Sequence, residues 1–136
     1  MSTAAGAGPL NVVDYSPGVC NIGPAEIARR RLAGHVGLVV CVVGFVLLAA
    51  TAAPHWTRLI LFLPAAASAS GYLQAWLHFC AGFGSRGVYN FGPLGKVQQV
   101  ADRQARARDR ARSLRIGVAA GLIGVAVAIV AVLLPV

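Results

Sequence analysis

The sequence predicts an all-α integral membrane protein with three transmembrane helices, the first two paired as an antiparallel hairpin, plus a basic cytoplasmic helix. Three observations carry this expectation. Of 136 residues, 57% are hydrophobic and only 12% charged, against roughly 25% charged in soluble proteins, which argues against a water-soluble globule. Three uncharged stretches, residues 36–53, 59–84 and 116–136, would form helices of about 27, 39 and 31 Å, against a hydrocarbon core of about 30 Å. The formal charge of +8 is also unevenly placed: Arg29, Arg30 and Arg31 precede the first stretch, eight Lys/Arg separate the second from the third, and Arg58 stands alone on the other side. The positive-inside rule then puts the N-terminus and the basic connection in the cytoplasm and the C-terminal Val136 outside, as in a multi-pass inner (plasma) membrane protein.

Residues 1–19 hold small residues, two prolines and no periodicity, and read as a flexible tail with a turn at Ser16-Pro17-Gly18. The hairpin with its cytoplasmic cap is expected over residues 20–92, and the basic helix with the third span over 93–136. In "CNIGPAEIARRRLAGHVG", Gly23 suits an N-cap, Pro24 the first helical position and Glu26 the positive end of the helix dipole. A helix therefore starts near Pro24 and runs into the first span, with Glu26 paired to Arg30 one turn on. Reading this segment as a cleaved leader is disfavoured, because about 33 residues precede the apolar core, too many for a normal n-region.

The short "PHWTR" connection permits only an antiparallel return, with Trp56 at the interface. Residues equally distant from Trp56 then lie at similar depth. His35 is 21 residues before it and His78 is 22 after, so His35, His78 and Cys80 are expected near the cytoplasmic boundary, with Glu26 and Arg86 just outside. On the second span, Ala67, Gly71, Gln74 and His78 share one helical face, which places Gly71, Gln74 and His78 in interhelical polar packing. Glycines 82, 84 and 87 are expected to break that helix. "SRGVYNFGPLG" reads as a re-entrant or surface loop, and Asn21, Glu26, Arg30, Arg86 and Asn90 as the cytoplasmic cap.

Residues 96–115 hold strong helix formers without an apolar stripe, and arginines surround the helix. This is a solvated helix that sets topology and meets anionic headgroups. Nucleic-acid binding is not expected, since no aromatic platform accompanies the charge. In the last span Gly117, Gly121 and Gly124 offer a small-residue face for close helix packing, within the chain or between copies.

Three cysteines, Cys20, Cys41 and Cys80, without a C-x-x-C pair, do not suggest a disulfide framework in this topology. Imidazole and thiolate are metal-ligand types, so His35, His78 and Cys80, with Cys20, form the candidate metal set; the principal reading gives them packing and interfacial roles, with no cofactor. No acidic residue lies in the spans and no nucleophile elbow, P-loop or HExxH pattern is present, so catalysis is not expected.

The segments "CNIGPAEIARRRLAG" and "GYLQAWLHFCAGFGSRGV" together resemble a family of small bacterial inner-membrane domains sometimes fused to rhodanese, over about residues 20–90. Asn21, Gly23, Arg30, Gly34, Cys80 and Gly87 are the positions that match its N-x-G start, pre-helix arginine and G-F-C-like segment. The resemblance implies a membrane location and a helical hairpin; it supplies no catalytic residues, and His78, the basic helix and the third span depart from it. The expected function is a non-catalytic scaffold, assembly factor or accessory subunit of a membrane complex, with other membrane subunits or further copies as partners. The alternative is a small transporter or metal-handling protein using His35, His78 and Cys80.

Overall fold

A computed structural model describes residues 15–136; of the tail expected over residues 1–19, the first fourteen lie outside them. Helix α1 (Pro24–Ala50) begins as its sequence directs, with Gly23 extended at the N-cap, Pro24 in the first turn and Glu26 behind it. A 3-10 segment, His55–Leu61, follows the return and leads directly into α2 (Phe62–Leu77). Pro64 falls in the first turn of α2, the part of a helix that tolerates proline best. After α2 come the short α3 (Ala81–Arg86), strands β1 (Val88–Tyr89) and β2 (Gln98–Gln99), and α4 (Arg103–Leu133). Three helical stretches, Pro24–Ala50, His55–Leu77 and Arg103–Leu133, are long and apolar enough to cross a membrane.

The all-α expectation needs one correction. β1 and β2 pair antiparallel, Val88 with Gln99 and Tyr89 with Gln98, and Ile22 bridges Asn90 in parallel. Residues 88–90 are therefore pinned from both edges, and this part of the segment expected as a re-entrant or surface loop is paired, while residues 92–95 are exposed. The second span is also shorter than expected. It ends at Leu77 because His78 takes a left-handed conformation, φ 56°, and the chain turns before the glycines are reached. Gly82 and Gly84 sit inside α3; only Gly87, at φ 71°, ends a helix.

The basic helix and the third span are one continuous helix, starting at Arg103 instead of Lys96. Asp102 caps it, its carboxylate accepting the Ala105 N–H at 2.9 Å. One buried stripe runs its whole length through Ala105, Asp109, Ser113, Ile116, Ala120, Gly124, Ala128 and Ala131. Small and polar residues in the arginine-rich half hid that stripe from a count of hydrophobic positions.

Close packing of α1 on α2 depends on glycine. A Cβ on Gly71 would come within 2.6 Å of the Gly34 nitrogen and 2.7 Å of the Arg30 carbonyl oxygen, and one on Gly37 within 2.8 Å of the Ser68 nitrogen. The Ser68 hydroxyl donates across this contact to the Gly34 carbonyl at 2.8 Å. The pairings of 34 with 71 and 37 with 68 put the pivot of the hairpin between residues 52 and 53, where Ala52 has φ 55°, and not at Trp56. On α4, Gly124 lies against Ala66 and Phe62, whereas Gly117 and Gly121 have open space where a Cβ would be. The expected small face thus splits, and only Gly124 belongs to the packing stripe.

Candidate functional site

The arginine-rich end of the bundle holds most of the buried polar groups, and Asn21 is their centre. Its side chain bonds the backbone of Cys80 on both sides: Nδ2 donates to the Cys80 carbonyl at 3.1 Å, and Oδ1 accepts the Cys80 N–H at 2.6 Å. Its own N–H donates to the His78 carbonyl at 3.2 Å and its carbonyl accepts the Asn90 N–H at 3.0 Å. One residue thus satisfies the backbone where α2 has stopped and α3 has not begun. Buried main-chain groups require such partners; the Cys80 carbonyl also accepts the Gly84 N–H of α3 at 2.9 Å.

Glu26, one turn into α1, is 1% exposed. Its carboxylate accepts from Arg30 Nη1 at 3.0 Å and from Asn90 Nδ2 at 3.1 Å. Asn90 also donates to the Pro93 carbonyl and accepts the Gly92 N–H, while its backbone oxygen accepts the Gly23 N–H at 2.8 Å. Arg30 then reaches α3: Nη2 donates to Cys80 Sγ at 2.7 Å and the guanidinium lies 5.5 Å from the Phe83 ring centroid. Ile22, Cys80 and Phe83 form the apolar floor. Buried charge is tolerated here because Glu26 has both a counter-ion and a second donor.

Asp109 closes the cap from α4. It is fully buried yet makes no ion pair within its arginine-rich helix. Instead its carboxylate accepts the Tyr15 hydroxyl at 2.7 Å and the Gly18 N–H at 2.8 Å, and Tyr15 stacks on Tyr89 with centroids 4.8 Å apart. Burial and the bond to Asp109 push the Tyr15 hydroxyl above its ordinary pKa. Burial also raises the Cys20 thiol. Residues 17–19 form a turn, with Gly18 at φ 69°, held against α4 by these contacts.

The expected His/Cys group is dispersed. His35 shares a 2.5 Å hydrogen bond with the Tyr72 hydroxyl, and Tyr72 lies six residues before His78, about 9 Å along a helix. The cause is the pivot at residues 52–53, which sets His35 deeper along α2 than symmetry about Trp56 implies. His78 is exposed, Cys80 is engaged by Arg30, and Cys20 Sγ faces the Ile22 carbonyl. Among the described residues no three His, Cys, Asp or Glu side chains gather to hold a metal ion. Gln74 turns along its own helix, donating to Ser70, and accepts the Ala81 N–H at 2.8 Å, which ties α3 to the end of α2. Arg86 is exposed over Phe83 and does not meet Glu26.

At the opposite end sits Arg58, 1% exposed, which the sequence marked only as an isolated charge. Nη1 donates to the Ala131 and Leu134 carbonyls at 2.9 and 3.1 Å, Nη2 reaches the Val136 oxygen, and the guanidinium covers Phe45. His55 Nδ1 lies 3.1 Å from the Val132 oxygen. A cation on the last carbonyls of α4 satisfies groups that the helix leaves open and opposes its dipole. The sequence signal was a single arginine beyond a span, with a neighbouring histidine.

Compared with protein-family models, with curated proteins and with solved structures, the chain matches none.

Proposed function

We propose that this chain is a small three-span protein of the bacterial inner membrane, with its arginine-rich cap in the cytoplasm and the Arg58 end outside. In this reading it serves as a non-catalytic scaffold, assembly factor or accessory subunit of a membrane complex. One observation carries the proposal: the most deeply buried polar side chains of the cap, Asn21, Glu26, Asn90 and Asp109, are committed to one another and to neighbouring protein groups, while α1 and, from Leu114 on, α4 turn large aliphatic side chains outward. Asn21, Glu26 and Asn90 all have protein partners. Val39, Val43 and Leu47 on α1 and Val118, Leu122 and Leu133 on α4 are all at least half exposed. Such a surface is suited to lipid and to other apolar helices. The placement of eleven of the twelve Lys/Arg at one end supports the orientation.

Native purification from membranes in mild detergent, followed by identification of stoichiometric companions, tests the role. A recurrent membrane-protein partner is the expected result. A chain that purifies alone and moves solute across liposomes would replace the scaffold reading with the transporter one. Reporter fusions at each end test the orientation.

A further inference from the structure

Two arginines border an apolar groove between α2 and α4. The groove, 190 Å³ in volume, is lined by Leu73 and Leu77 of α2 and by Arg112, Arg115, Ile116 and Ala119 of α4. On α4 these positions recur at three- and four-residue spacing and so share a flank, giving an aliphatic floor with a cationic rim. Arg112 is partly buried, and its Nε–H is shielded from solvent without an acceptor among the described residues. The nearest acid on the helix, Asp109, is occupied by Tyr15 and Gly18. Neither arginine makes an ion pair among the described residues. Two arginines, one half-buried and one exposed, beside aliphatic side chains are complementary to an anionic oxygen carried on a hydrocarbon tail.

We propose that this groove binds one anionic glycerophospholipid, its phosphate between Arg112 and Arg115 and an acyl chain along Leu73, Leu77 and Ala119. The site rests on the three-span reading, which places the end of α2 at the membrane boundary, where headgroups lie. Juxtamembrane arginines attract anionic lipid in general; the groove adds a fixed position and a place for the tail.

The test uses the full chain in detergent, titrated with phosphatidylglycerol or phosphatidylcholine, with retained lipid read by native mass spectrometry. Phosphatidylglycerol should be retained preferentially, and Arg112→Gln with Arg115→Gln should weaken retention about 25-fold. Lys96→Gln with Arg103→Gln removes the same charge, with Arg103 about 13 Å from Arg112 along the axis, beyond the Debye length of about 8 Å; it should leave retention unchanged. Ala119→Phe keeps every charge but fills the floor, and should weaken retention as well; it decides the matter alone if the arginine pair fails to fold. Equal weakening by both charge-removing pairs would show diffuse attraction and overturn the site. Displacement of the lipid by glycerol phosphate at comparable concentration would also overturn it, showing a phosphate site without a tail. A chain that needs detergent yet shows no lipid preference sinks only the groove, whereas a chain that stays soluble without detergent sinks the three-span reading itself.

Discussion

Asn21 supplies, with one side chain, the acceptor a continuous helix would have given the Cys80 N–H, and a second donor to its carbonyl. Asn21→Ala leaves the buried Cys80 N–H without a partner, while the Cys80 carbonyl keeps the Gly84 N–H, so a loss of about 1–3 kcal/mol in detergent-based unfolding is expected. Arg30→Lys keeps the charge but cannot span Glu26, Cys80 and Phe83 together, and should lower the melting temperature where Arg29→Lys, on an exposed residue, does not. The raised Cys20 thiol and Tyr15 hydroxyl have a common sign. The folded chain holds these protons above the ordinary values, 9.0 for the thiol and 10.0 for the phenol, while the unfolded chain releases them. Stability is therefore fully present below pH 9 and should decline as pH rises beyond it, which unfolding at pH 8 and pH 10 would measure. Asn21, Glu26, Arg30 and Asn90 were legible as cap residues from their place beside the span and the N-x-G-P start. The pairings were not, because Asn21 meets Cys80 across 59 residues and Glu26 meets Asn90 across 64.

Among the elements, α1 was readable because length, apolar content and cap all agreed, whereas for α4 the apolar half was readable and the Asp102 cap and the continuity through the arginines were not. The end of α2 was misplaced for a physical reason: three nearby glycines are the stronger punctuation in sequence, but the left-handed turn falls on His78, whose type gives only a weak signal for it. Small residues carried a similar ambiguity. Gly71→Ala should destabilise by about 1–3 kcal/mol through overpacking against the backbone of α1. Gly117→Ala and Gly121→Ala, with open space around them, should be neutral or stabilise by up to about 1 kcal/mol through helix propensity. Thermal unfolding of the three variants separates packed glycines from exposed ones, which the spacing alone could not do.

For the whole molecule, the two ends are closed differently. The arginine-rich end uses a network of neutral amides around one ion pair, whereas the Arg58 end uses one buried cation on the final carbonyls of α4. Arg58→Ala should release the end of α4 and cost about 2–4 kcal/mol, since buried carbonyls lose a charged donor. Faster hydrogen exchange confined to residues 128–134 would locate the effect. The three-helix topology was legible from the spans and charge placement. The register was not, because the chain turns several residues before the tryptophan that marks the connection.

The Asp109 contacts set an order of events during biosynthesis. Tyr15 and Gly18 emerge from the ribosome more than ninety residues ahead of the carboxylate that will hold them, and the Asn21 side chain must wait for Cys80. A segment translated ahead of all three long helices is thus among the last to find its place, and a chain stalled after the second helix would leave Tyr15 and Gly18 without their anchor.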